Sequence, residues 1–151
     1  MKKISLILMC IIWGITNLCA QTELNEEQIQ LRTQIKNAIA ADGYDPSIDS
    51  DGDIAFKHEG TNYYVRVYPG NEPYMICLFR AKLFNDTYTK DKVMAAVGKC
   101  NLKKGVKLVC SSQTFTYRAE MFISSATEFK KTYKKLINQI KHLSNELDEM
   151  M

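Results

Sequence analysis

The stretch Ile48-Asp49-Ser50-Asp51-Gly52-Asp53-Ile54 sets three carboxylates at alternate positions around a glycine. Hard oxygen donors so spaced are how a calcium loop begins. A loop of the EF-hand type needs oxygen ligands at positions one, three and five, glycine at six and a bidentate carboxylate at twelve. With Gly52 at six, the first three places fall on Ser47, Asp49 and Asp51, and the twelfth falls on His58, one residue short of Glu59. A strand-like alternation, Ile54-Ala55-Phe56-Lys57, follows where a helix should. The stretch therefore reads as a turn. Asp51-Gly52 supplies a positive-φ position and a side chain that accepts backbone amides, with Asp49 and Asp53 solvated. No metal and no cofactor is expected.

Other chemistry is sparse. The two histidines, His58 and His142, have no cysteine or serine motif beside them, and a nucleophile needs a nearby base. They read as exposed and without a task. The chain has no GxSxG, HExxH or CxxC motif and no glycine-rich phosphate loop. No catalytic residue is assigned. Cys100 and Cys110 are spaced so that one bridge between them is open, as is the alternative of thiols throughout. Cys77, in a strand, reads as a small buried hydrophobe.

One group of side chains favours binding over catalysis. Tyr64, Arg66 and Tyr68 alternate along one strand and so share a face. Tyrosine and arginine are enriched at protein interfaces. Either these residues form a partner-binding surface, or a helix covers this face, or the tyrosines are ordinary strand formers.

The chain start bears on where such a surface would work. Lys2 and Lys3 precede an apolar run from Ile4 to Ile15, and Leu18-Cys19-Ala20 closes the segment. This layout predicts a secretory leader over residues 1–20, cleaved after Ala20. The apolar run is too short to span a bilayer, which takes about 20 residues, so no stable membrane span is expected after cleavage. Leu18 and Met9, not a small residue, precede Cys19 and Cys10, which argues against a lipid anchor. Residues 21–151 then form a single domain, periplasmic or secreted. The whole chain carries 20 basic and 17 acidic residues, two of the lysines being in the leader. That near balance gives no footing for nucleic acid.

The elements that position these residues follow from period and punctuation. A helix is expected over Leu24–Ala41, with Leu24, Leu31, Ile35, Ala38 and Ile39 on one face. Asn25 and Gln28 form a reciprocal cap, and Asp42-Gly43 closes the helix. Strands are expected over Asp53–His58, Tyr63–Tyr68 and Tyr74–Arg80. The third carries Ile76 and Leu78 on one face and Met75, Cys77 and Phe79 on the other, which predicts cover on both sides. A helix over Thr89–Cys100 precedes strands Val106–Ser111 and Thr114–Ile123. In the last strand Phe115, Tyr117, Ala119, Met121 and Ile123 share a face, and Thr116, Arg118 and Glu120 lie on a wet one. Ser125-Ala126-Thr127-Glu128 is a capping box opening a helix with Phe129, Tyr133, Leu136, Ile140, Leu143, Leu147 and Met150 at steps of four and three. That seam suits packing across a sheet, with a coiled coil as the alternative.

The fold class is thus α+β, an antiparallel sheet with helices packed on it in the order α-β-β-β-α-β-β-α. The segments IDSDGDIAFKHEGTNYYVRV, AAVGKCNLKKGVKLVC and AEMFISSATEFKKTYKKL resemble the opening hairpin, the second helix with its following strand, and the last strand with the final helix of the YbjN-like proteins and the type III secretion chaperone-like fold. The resemblance implies a domain that binds a polypeptide partner or forms a homodimer and has no catalytic residues to transfer. A cytosolic secretion chaperone carries no export signal, so the expectation is an exported interaction domain. The alternative is a small-ligand-binding or hydrolytic domain with a cleft between sheet and helices.

Overall fold

The computed structural model describes residues 23–102 and 105–151; the expected leader and its cleavage point lie outside them. Helix α1, Glu26–Ala41, opens on the reciprocal cap: Gln28 N donates to Asn25 Oδ1, and Asn25 N donates to Gln28 Oε1, both at 2.9 Å. Asp42 caps its end and Gly43 follows at φ +91°. Strands β1 (Ser47–Ile48), β2 (Ile54–His58), β3 (Thr61–Val67) and β4 (Tyr74–Leu83) come next, then α2 (Lys90–Cys100), β5 (Lys107–Cys110), β6 (Thr114–Ile123) and α3 (Ala126–Asp148). The expected order holds, with β1 an added two-residue edge strand. The β2–β3 turn is Glu59-Gly60, both at positive φ (+48° and +77°). That is the backbone of the tight hairpin turn whose twist matches its flanking strands.

The strands form one antiparallel sheet in the order β1-β2-β3-β4-β6-β5. One face carries Ile54, Phe56, Tyr63, Val65, Ile76, Leu78, Tyr117 and Ala119. These residues join Leu31, Ile35 and Ile39 of α1, Val93, Ala96 and Cys100 of α2, and Phe129, Tyr133, Ile137 and Ile140 of α3 in a single core. Each fully buried side chain of this kind contributes about 1.5–3 kcal/mol. Along α3 the buried stripe takes Ile137 where the seam expects Leu136, which is half-buried, and Met150 is exposed. A strict seven-residue seam drifts round a straight helix, so the stripe that faces a sheet departs from it. α3 touches β4, β6 and both other helices, which is packing across a sheet. At its start Ser125 Oγ accepts from Glu128 N at 3.4 Å, and the Glu128 carboxylate returns to Ser124 N at 2.7 Å, one residue earlier than a capping box requires.

All three helices join the core on the same face of the sheet. The expectation that β4 is covered on both sides is therefore corrected. Met75, Cys77 and Phe79 are apolar on a face that no described element covers, where Phe79 stacks on Tyr64 of β3. Among the described residues no disulfide forms: Cys77, Cys100 and Cys110 are all thiols, and Cys77 is buried as expected.

The end of α1 is fastened to α3 by one carboxylate. Asp42 accepts from Tyr133 Oη at 2.6 Å and lies 2.9 Å from Lys134 Nζ and 3.4 Å from Lys130 Nζ. An acidic residue at a helix C-terminus opposes the helix dipole; here the phenol and two ammonium groups offset that. The Tyr133 hydrogen bond, then Lys134, lower the Asp42 carboxyl from 3.8 to about 2. A carboxyl lowered on folding contributes stability that is complete above its unfolded value and is lost as pH falls through its folded value. Urea titrations should show Asp42→Asn less stable than the parent at pH 7, with the gap closing between pH 4 and about pH 2. An unchanged gap across that window would refute this role for Asp42.

Candidate interaction surface

On the strands, residues that alternate away from the core form the open face, and pairing register decides which of them meet. One row crosses four strands: Tyr64 opposite Phe79, Phe79 opposite Arg118, Arg118 opposite Lys107. The next row is Arg66, Cys77 and Glu120. In the third, Tyr68 N donates to Met75 O at 3.0 Å, continuing the β3–β4 ladder, and Met75 pairs with Phe122. Tyr64 and Phe79 stack at 5.3 Å between centroids, and the Arg66 guanidinium lies 5.7 Å from the Phe79 ring. Phe122 is 67 % exposed, Leu83 69 % and Val109 38 %. Phe122 lies at the Met75 end of this face, and Leu83 and Val109 lie at the Thr114 end, so a polar stretch of β6, Thr116, Arg118 and Glu120, separates the exposed apolar residues.

The structure thus brings Tyr64, Arg66 and Tyr68 to one uncovered face, each half-buried. Sequence reasoning missed Met75, Phe79, Arg118 and Phe122 as members of the same surface. Their signals existed, an apolar second face on β4 and a polar one on β6, but only register joins them.

Arg66 also holds the turn. Its Nε and Nη2 donate to Asp53 Oδ1 and Oδ2 at 2.8 and 2.6 Å, and this bidentate bond raises the Arg66 pKa. Asp53 is buried at 3 % exposure and Asp49 is half-buried, which corrects the expectation that both are solvated. Asp49 Oδ1, not Asp51, accepts the Asp51 and Asp53 amides at 3.0 and 2.9 Å, and Gly52 takes φ +81°. Two of the three carboxylates thus have the backbone or a guanidinium as partner, and the stretch works as a turn.

Above this turn an open cleft of about 760 Å³ runs between the start of α1, residues 50–53 and residues 66–69. Arg32 Nη1 donates to Gly52 O at 3.0 Å across its floor, and a Cβ at Gly52 would sit 3.1 Å from that nitrogen. Arg66 and Tyr68 line both cleft and open face; His58 does not line the cleft. His58 is half-buried, its Nδ1 2.8 Å from Tyr44 Oη, which corrects the expectation of an exposed ring. His142 is exposed on α3, 3.2 Å from Glu146. Burial pushes the Cys77 thiol up to about 11, so it is protonated at neutral pH and a poor nucleophile.

The sheet edges are guarded. On β5, Leu108 N donates to Asn101 Oδ1 at 2.7 Å and Asn101 Nδ2 donates to Leu108 O at 3.1 Å, so one side-chain amide takes the place of a neighbouring strand. At the other edge β1 has two residues. Short or blocked edges resist strand addition, which leaves the face as the accessible surface of the sheet.

This fold has a solved counterpart. A chain of the HopA1–SchA chaperone–effector complex matches with a TM-score of 0.51, covering 80 % of this chain and 98 % of that one, at 10 % identity. At that identity the likeness is one of fold. No family model matches the chain, and no curated protein matches it. The expected α+β fold is thus supported on structure, while no family model or curated protein supports the YbjN-like resemblance.

Removing one partner of the Arg66–Asp53 pair leaves a buried carboxylate unpaired. Arg66→Ala should cost about 1–3 kcal/mol in urea unfolding, and Tyr64→Ala, which loses a cross-strand ring pair, about 1 kcal/mol or less. Equal losses would show that Arg66 does not hold the turn.

Proposed function

We propose that the protein is an exported, non-catalytic interaction domain that binds a polypeptide partner through the open face of its sheet. The carrying observation is the one-sided architecture: three helices share one face, and the other holds Tyr64 with Phe79 and, beyond the row of Arg66, Cys77 and Glu120, Met75 with Phe122, with no described element over them. Aromatic rings supported by neighbours offer large contact area at low entropic cost. The fold-level likeness to a chain from a chaperone–effector complex supports polypeptide binding over catalysis. The leader-like residues 1–20 support export to the periplasm or beyond. Self-association through the same face is the other form of this reading.

The cleft favours one second reading, a small polar ligand held between Arg32 and Arg66 with Leu24, Ile29 and Tyr68 as its apolar wall. Its volume lies in the ordinary range for ligand pockets. The hydrolytic form of that reading wants His58 beside a carboxylate in the cleft, and His58 lies elsewhere.

Capture separates these readings. The immobilised protein is exposed to envelope extract and growth medium, and retained proteins are identified by mass spectrometry. A partner retained by the parent and lost by Tyr64→Ala/Tyr68→Ala/Phe122→Ser, but kept by Arg32→Ala, is the expected result. Loss in Arg32→Ala alone would favour the cleft. Recovery of the chain from cytosol with its leader intact would contradict export.

A further inference from the structure

Given that the open face holds a polypeptide, its charges say which kind. Its two arginines differ. Arg66 is neutralised by the bidentate Asp53 bond. Arg118, in the middle of β6, is half-buried beside Phe79; its Nε donates to the neutral Thr116 Oγ1 at 3.0 Å, and no carboxylate of the described residues forms an ion pair with it. The residue directly opposite on β5 is a second cation, Lys107. Its Nζ donates to Asn101 O at the C-terminal end of α2, at 3.1 Å. Like charges directly opposite in a sheet are unfavourable, and a guanidinium fixed beside an aromatic ring is well shaped to receive a carboxylate on two nitrogens. The one acid of β6 on this face, Glu120, stands two residues along the strand and opposite Cys77.

The open face therefore pairs aromatic side chains with unneutralised cations. Along one row Tyr64 and Phe79 pass to the cations Arg118 and Lys107, exposed Lys57 adds a further cation to the same face on β2, and Met75 and Phe122 lie two rows on, past Cys77 and Glu120. We propose that the partner is an acidic amphipathic segment: its apolar side chains lie on Tyr64, Phe79, Met75 and Phe122, and a carboxylate pairs with Arg118. Guarded edges disfavour recognition by strand addition, so side-chain chemistry on the face selects the partner.

The test uses two synthetic amphipathic helical peptides with the same leucine and phenylalanine stripe, one with glutamate and one with lysine on the polar face. Binding is followed by fluorescence anisotropy. The glutamate peptide should bind about tenfold more tightly than the lysine peptide, as a charged hydrogen-bonded pair allows. Arg118→Glu should abolish or reverse that preference and Arg118→Gln should reduce it. Lys131→Glu, an equal charge change on the exposed side of α3, should leave it unchanged. A preference that survives Arg118→Glu overturns the proposal, as does equal affinity for both peptides; binding that is nevertheless lost in the Tyr64→Ala/Tyr68→Ala/Phe122→Ser variant would leave polypeptide binding standing. Binding of neither peptide, with a dimer in sedimentation, assigns the face to a second copy and overturns the acidic-partner assignment.

Discussion

The antiparallel ladder between β4 and β6, unbroken from Tyr74 opposite Ile123 to Leu83 opposite Thr114, is the constraint on which the rest of the molecule depends. Side chains alternate strictly across a strand, so a slip of one residue would turn every core side chain of one partner to the wrong face. With this register, Ile76, Leu78, Ala119 and Tyr117 meet the helices. The same register sets Phe79 beside Arg118 and Met75 beside Phe122 on the far side. Core and surface are therefore one specification: burying one set of side chains places the other.

The two faces are built by different physics. The helix side is held by area removed from water, with α3 laid against β4, β6 and both other helices, and with Asp42 closing the seam between α1 and α3. The open side has no such cover among the described residues. It is stabilised by neighbours on the sheet itself, through the Tyr64–Phe79 stack and the Arg66–Asp53 pair, so those two rings and that guanidinium are held by the protein's own contacts. A surface ordered in advance loses less freedom on binding. With both edges guarded, the face can be exposed without inviting another strand to pair.

Much of this was legible in the chain. Helix ends carried their caps as residues: Asn25 with Gln28, Gly43 after Asp42, Ser125 with Glu128. Alternation marked the core face of β2, β3 and β6, and it put Tyr64, Arg66 and Tyr68 on one face. What was not legible depended on partners distant in sequence. Alternation separates two faces without saying whether a second layer covers either, so Met75, Cys77 and Phe79 looked like the marks of a doubly covered strand. Asp53 looked like one of three solvated acids until Arg66, thirteen residues on, came beside it. Arg118 looked like one polar residue on a wet face until pairing put Phe79 on one side of it and Lys107 on the other.

The most direct measurement is hydroxyl-radical footprinting of the protein alone and bound to its captured partner. The account predicts that Tyr64, Met75, Phe79 and Phe122 lose reactivity on binding while Met94, exposed on α2, does not. Protection of Met94, or of Leu24 and Ile29 at the cleft, with the sheet face unchanged, would contradict it.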